Sequence, residues 1–224
     1  MSQTLVLEHR QGREDMVSTA PKIEQRVKLS GISWEMYQAI RADPDNRHIK
    51  LTFYRGVLEI MAPSPEHEYL KKVIGRFVET LAEEFVVSLY PLGSTTLDRE
   101  DLISGSEPDE CFYLTVSKIQ QVKGKKRIDL KQDPAPDLVV EVDITSRAKY
   151  REQVYSALQI PEIWAYDGQS LAILVLEKEN YVEATRSIAF PKIEAKAIEI
   201  FLQQAMEKDY LTLVSEFRQW LKNI

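Results

Sequence analysis

Residues 136–144 read Pro136-Asp137-Leu138-Val139-Val140-Glu141-Val142-Asp143-Ile144. Leu138, Val140, Val142 and Ile144 alternate, as apolar residues do when they cover one face of a buried strand, and Val139 places an apolar group on the other face as well. Successive side chains point to opposite faces, so Asp137, Glu141 and Asp143 share the face of Val139. A carboxylate buried without a partner is strongly destabilising. Acids in such a strand therefore require a cation, supplied by a bound metal or by a neighbouring Lys or Arg.

Downstream, Thr145-Ser146 is a cap signal for a helix from about Arg147 to Gln159, with Tyr150, Val154, Ala157 and Leu158 inward and Pro161 after its end. Glu162–Tyr166 reads as a strand, Asp167-Gly168 as a turn and Ser170–Leu176 as the returning strand. Residues 195–224 have a helical pattern. Upstream, Glu107-Pro108-Asp109 leads into an apolar strand, Cys111–Leu114. Tyr90–Leu97 reads as a strand followed by a polar turn to Ser106, and the Lys-rich residues 118–131 as a loop or short hairpin. Ser64 and Pro65 suit the N-cap and first position of a long helix whose stripe Leu70, Val73, Ile74, Phe77, Val78 and Leu81 is core. At its start Glu66 or His67 faces inward more readily than Glu68. His48–Met61 reads as a hairpin turning at Arg55-Gly56, and Ser30 to about Arg41 as a short helix.

This order predicts a mixed α/β (α+β) fold with a central mixed sheet flanked by helices. The expected organisation is a loose N-terminal arm over residues 1–29, a core over 30–190 and a helical extension over 191–224 packed on that core.

Composition narrows the function. A chain of 224 residues with 44% hydrophobic content builds a sizeable core. Cys111 is the single cysteine, which rules out an intramolecular disulfide and a cysteine-based zinc site. The chain shows neither a signal-peptide pattern nor an apolar run of membrane-spanning length, so the expectation is a soluble cytoplasmic protein. A net charge of −6 is unlike that of a general nucleic-acid coat protein but compatible with acids concentrated around a metal. Local basic patches occur at Lys71, Lys72 and Arg76 and at Lys123, Lys125, Lys126 and Arg127. Each also reads as an ordinary solvated surface.

Metal-assisted phosphodiester hydrolysis needs carboxylates for a hard divalent cation, a water to be deprotonated, and a positive group near the developing charge. Asp109 and Glu141, on different strands, can supply the carboxylates; Asp143 is a further candidate ligand. Lys149 or Arg151, on the following helix, can supply the positive charge. The competing reading of Glu141 is an ion pair with a neighbouring Lys or Arg, or a strand with one wet face. Asp137 begins its strand and reads as a cap, and Cys111 as packing. His67 can serve as ligand or base, or simply as a hydrogen-bonding residue at the helix end. His9 and His48 lie in polar contexts and carry no signal.

Four segments carry a resemblance: Tyr54-Arg55-Gly56-Val57-Leu58-Glu59-Ile60-Met61-Ala62-Pro63-Ser64-Pro65-Glu66-His67-Glu68, Glu107–Tyr113, Pro136–Thr145 and Ile160–Gly168. Together they resemble the Uma-type family of restriction endonucleases within the PD-(D/E)XK nuclease superfamily, in order over residues 30–185. The resemblance implies a restriction-endonuclease-like core, Mg²⁺ or Mn²⁺ as cofactor and duplex DNA as partner. It carries the acid of the first motif onto Asp109 and the glutamate of the second onto Glu141. The superfamily lysine two residues further on is Asp143 here, a departure. In relatives of this type a lysine on the next helix, four residues before a tyrosine, takes over. With Tyr155 as that tyrosine the position is Arg151, and Lys149 lies two residues earlier. Arginine keeps the charge but cannot act as a base. His67 matches a recurrent histidine. The expected activity is metal-dependent cleavage of DNA, in a homodimer if both strands are cut by paired sites. The alternative is a nuclease fold that has lost catalysis and binds DNA or protein. A hydrolase of a small phosphorylated ligand has no motif behind it.

Overall fold

The computed structural model describes residues 24–144 and 149–224. Residues 1–23 of the expected arm and the Thr145-Ser146 cap lie outside the described residues.

The decisive strand, β8, spans Leu138–Val142, and all five of its residues are buried. Its neighbours are β7 (Glu110–Tyr113), antiparallel, and β9 (Glu162–Tyr166), parallel. With β10 (Leu171–Glu177), β11 (Asn180–Ala184) and the short β4 (Tyr90–Pro91) they form a six-stranded sheet in the order β11-β10-β9-β8-β7-β4. The parallel β8/β9 pair requires a crossover, which α4 (Lys149–Ala157) provides.

The two faces of β8 pack as its alternation predicts. Leu138, Val140 and Val142 join a core formed with α2 (Pro65–Phe85), α5 (Ala195–Leu202) and α6 (Tyr210–Leu221). Val139, with Cys111 and Tyr113 of β7, packs against Val154, Tyr155 and Leu158 on the side of α4. Helix α2 begins where its sequence says, because the Ser64 hydroxyl accepts from the His67 amide and Pro65 needs no amide partner.

The mixed α/β class holds, but the strands divide between two sheets rather than one. The second is five-stranded and antiparallel, in the order β1-β3-β2-β6-β5, from β1 (Gln25–Ser30), β2 (Lys50–Tyr54), β3 (Val57–Ala62), β5 (Leu97–Arg99) and β6 (Ser104–Ser106). Arg55 and Gly56, both at positive φ, turn β2 into β3 as a two-residue hairpin. Helix α1 (Trp34–Ala42) covers this sheet through Trp34 and Tyr37, which meet Phe53.

Four local expectations are corrected. Residues 25–29, expected in a loose arm, belong to β1 and pair with β3 throughout. Tyr90–Leu97 is not one strand; its two ends pair in different sheets. The end of the polar turn before Ser106 is strand β6. Part of the Lys-rich stretch is helix α3 (Val116–Val122), which turns Ile119 and Val122 into the core beneath α4.

Candidate active site

The two sheets meet over Asp109 and Glu141. Asp109 precedes β7 and is 0% exposed, while Glu141 is 5% exposed in the middle of β8. The Asp109 amide donates to the carbonyl of Val140 (3.2 Å), and its Oδ2 accepts from the amide of Val142 (2.7 Å), the residue after Glu141. The register of β7 on β8 thus places one carboxylate beside the other.

Each acid is met by cations. Asp109 Oδ1 is paired with the Lys50 ammonium and accepts from His67 Nε2 (2.8 Å). His67 Nδ1 lies 2.9 Å from Glu24 Oε2. Both ring nitrogens face carboxylates, which only accept, so the ring is held as the imidazolium. Burial works against that charge, but the hydrogen bonds to Asp109 and Glu24 prevail and raise the His67 pKa to about 9. Burial likewise opposes ionisation of Asp109, and Lys50 and His67 overcome it, holding the carboxyl well below its usual range. For Lys50 burial is again outweighed, by Asp109 and then Glu141, and the ammonium is held charged.

Glu141 is paired through Oε2 with the Arg151 guanidinium and through Oε1 with the Tyr155 hydroxyl. Its burial and the charge of Asp109 push its pKa up, against the opposing pull of Lys50 and the Tyr155 hydrogen bond. The paired guanidinium also favours its ionised form. Arg151 further donates to Glu59 Oε1 from Nε and Nη2, both 3.2 Å. The Ser106 hydroxyl donates to Tyr155 at 3.1 Å, tying α4 to β6.

Strand β1 closes the group. Arg26 reaches Glu24 (2.7 Å), Glu59 (3.1 Å) and Asp143 (3.1 Å), and Lys28 pairs with Glu59 at 3.3 Å. Asp109, Glu141, Glu24, Glu59 and Asp143 therefore interlock with Lys50, His67, Arg26 and Arg151.

The structure brings Asp109, Glu141, Arg151 and His67 into one cluster, with His67 bonded to Asp109 and Arg151 to Glu141, and with Asp143 joined through Arg26. It does not bring in Lys149, which begins α4, is exposed, and pairs with none of the acids among the described residues. Glu66 is exposed as well, so His67 takes the inward role. Asp137 caps its neighbours, accepting from the amides of Leu114 (2.7 Å) and Thr115 (2.8 Å) and pairing with Lys118 (2.7 Å). Cys111 is packing; burial pushes its thiol up to about 12.

Lys50, Glu59, Glu24 and Arg26 lie outside the anticipated set, and Glu59 and β1 had a visible signal. Glu59 interrupts the apolar strand Val57-Leu58-Glu59-Ile60-Met61 just as Glu141 interrupts β8. Glu24, Arg26 and Lys28 alternate with Val27 and Leu29 at the period of a strand. Lys50 has no comparable mark.

The donor set can be tested against a divalent metal. Among the described residues no group of three or more His, Cys, Asp and Glu side chains is arranged to hold a metal ion. A pair of carboxylates is nonetheless the kind of ligand set Mg²⁺ uses, since it keeps several waters and needs one or two protein carboxylates. Asp109 and Glu141 fit that demand by chemistry and mutual proximity; Lys50 and Arg151 compete with the metal for the same oxygens. No helix among the described residues is long and apolar enough to cross a membrane.

A search of curated proteins returned no match. Among solved structures, the chain is similar to a nuclease from Anabaena variabilis, titled "putative" and assigned to DUF820, with a TM-score of 0.50 at 10% identity, over 76% of this chain and 99% of that one. At that identity the likeness shows the fold alone. The family model for Uma2, described as "Putative restriction endonuclease", matches residues 34–204, and so covers most of the chain. By its sequence, and in a fold that agrees, the chain belongs to the Uma2 family.

Proposed function

We propose that the chain is a metal-dependent endonuclease that hydrolyses phosphodiester bonds of DNA, with Asp109 and Glu141 as ligands for Mg²⁺ or Mn²⁺ and Asp143 as a further acidic neighbour. The observation that carries this reading is the pair of buried carboxylates on adjacent strands, ringed by cations at the junction of two sheets. When bound, the metal would supply a Lewis acid and a water of lowered pKa. Lys50 and Arg151 would stabilise the charge that develops on the phosphate, and neither can take a proton while charged. Tyr155 would orient Glu141, and Glu24 would orient His67 against Asp109. Lys149, outside the group, is given no role.

A second reading has an observation in its favour. Both acids are already satisfied by protein cations, as in a nuclease fold that has lost catalysis and serves as a DNA-binding or protein-interaction module. Cleavage of supercoiled plasmid in Mg²⁺ or Mn²⁺, with Glu141→Gln alongside, tests the first reading. Wild-type cutting that the variant loses supports it; equal cutting by both removes Glu141 from the chemistry. Thermal midpoints with and without Mn²⁺ separate the two readings. A ligand at about 100 times its dissociation constant stabilises by about 2.7 kcal/mol, whereas a lapsed site gains nothing.

A further inference from the structure

A cleft of about 480 Å³ opens to solvent with Lys50, the partner of Asp109, in its wall. Its walls come from the end of α1 and the segment after it, the start of β2, the first turns of α2, and Ser94 and Glu107. They carry Arg41, Arg47, Lys50 and Lys71 against two carboxylates, Glu68 and Glu107, with His48 beside them. This cationic excess stands out in a chain of net charge −6.

The four cations are not equally committed. Lys50 is bound to Asp109, and Arg41 donates to Asp98 at 2.9 Å. Lys71 pairs with Glu68 one turn earlier on α2 at 3.0 Å. Exposed pairs of that kind contribute about 0–1 kcal/mol and exchange readily for another anion. Arg47 is exposed and has no carboxylate partner among the described residues. Other basic residues are differently placed. Arg76 is engaged by Glu79 and Glu83, Lys125 by Asp133 and Arg127 by Asp98.

We infer that this cleft is a binding site for the phosphodiester backbone of duplex DNA, with Arg47 and Lys71 as phosphate contacts that lead a strand past Lys50 to Asp109. Cations drawn from separate elements suit a chain of phosphates better than one small anion. Arg47 offers a planar fork for a phosphate oxygen pair and Lys71 a point charge. Neither touches Asp109 or Glu141, so both act in binding rather than in the chemical step. The inference rests on the nuclease reading for the direction of the strand, but binding can be measured without cleavage.

The test is fluorescence anisotropy of a labelled duplex with the full chain in EDTA, titrated from about 50 to about 200 mM salt. Wild type is compared with Arg47→Ala/Lys71→Ala and with Lys123→Ala/Lys126→Ala, which removes exposed lysines elsewhere. Each lost phosphate contact reduces the salt slope by about 0.9, so the cleft variant should lose nearly 2 units of slope and about tenfold in affinity at the lowest salt, at an unchanged thermal midpoint. The variant at Lys123 and Lys126 should bind like wild type. Wild-type affinity and slope in the cleft variant would overturn the proposal, as would failure of wild type to bind duplex at low salt. A plasmid assay with Mn²⁺ keeps the two readings apart. Binding through the cleft without cleavage leaves the inference standing and removes the nuclease activity. Cleavage that is unaffected in KM by Arg47→Ala/Lys71→Ala does the reverse.

Discussion

Raising the pH through the neutral range should destabilise the protein through His67. The folded chain holds this imidazolium up to about pH 9, while an unperturbed histidine loses its proton near 6.5. Below 6.5 both folded and unfolded chains carry the proton, and its stabilisation is fully present. Between 6.5 and 9 the folded chain keeps a proton that the unfolded chain has lost, so unfolding becomes easier with rising pH. The slope approaches about 1.4 kcal/mol per pH unit, and across the window the loss is about 3 kcal/mol. Denaturant unfolding followed by tryptophan fluorescence at constant ionic strength measures it. His67→Gln keeps hydrogen-bonding groups but cannot charge, so the stability difference between wild type and variant should shrink by about 3 kcal/mol over that window. Parallel curves for the two proteins would show that the Glu24–His67–Asp109 chain does not hold a proton, and would refute the reasoning. Asp109 acts in the opposite sense. Its lowered pKa stabilises the folded chain above the ordinary value of 3.8, and this contribution is lost as pH falls below it.

Four further substitutions test the ion pairs, packing and helix end of the fold. Arg26→Ala leaves Glu24, Glu59 and Asp143 without their shared cation and should cost roughly 3–5 kcal/mol in denaturant unfolding; a loss within experimental error would show that the other cations suffice. Gly105→Ala would put a methyl 2.5 Å from the Tyr37 hydroxyl oxygen and should cost about 1–3 kcal/mol. That hydroxyl is buried with no hydrogen-bond partner among the described residues, so Tyr37→Phe should cost little alone and should rescue part of the Gly105→Ala loss. Val86 ends α2 at φ 54 and is 91% exposed, so Val86→Gly should raise stability by about 1 kcal/mol, seen as a higher calorimetric midpoint; a lower midpoint would locate a packing role for the valine.

The parts of the fold legible in the sequence are those whose periodicity is set by burial. β8 shows an apolar run interrupted by Glu141 because both of its faces meet core, and α2 shows its stripe because one face lies on β8 and α6. The parts that are not legible are short elements defined by their neighbours. β6 is Ser104-Gly105-Ser106, a polar turn by composition. It becomes a strand because β2 and β5 flank it and because Tyr37 needs the space that Gly105 leaves. Strand identity there comes from pairing between distant segments, which no local pattern records. The division into two sheets is hidden for the same reason: the two ends of Tyr90–Leu97 choose different partners.

The site divides along a similar line. An acid in an apolar strand is visible because its burial has to be compensated, and that logic finds Glu141 and applies equally to Glu59. What it does not supply is the identity of the compensating cation. For Glu141 a metal and an ion pair were both open, and the chain places Arg151 there. Lys50 and Arg26 answer Asp109 and Asp143 from sequence positions 59 and 117 residues away, on strands of the other sheet. Their lysine and arginine look like any solvent-facing residue of a strand until the two sheets are brought together. The acids mark the site because they are costly wherever they are buried; the cations become part of it only through the tertiary fold. β1 is the extreme case, since it and the residue before it supply Arg26 and Glu24 to the cluster from outside the residues 34–204 by which the family is recognised. If Arg26 is as important as its three carboxylate contacts imply, a chain cut to those residues would keep Asp109, Glu141 and Arg151 in sequence yet leave Glu59 and Asp143 without the guanidinium that joins them.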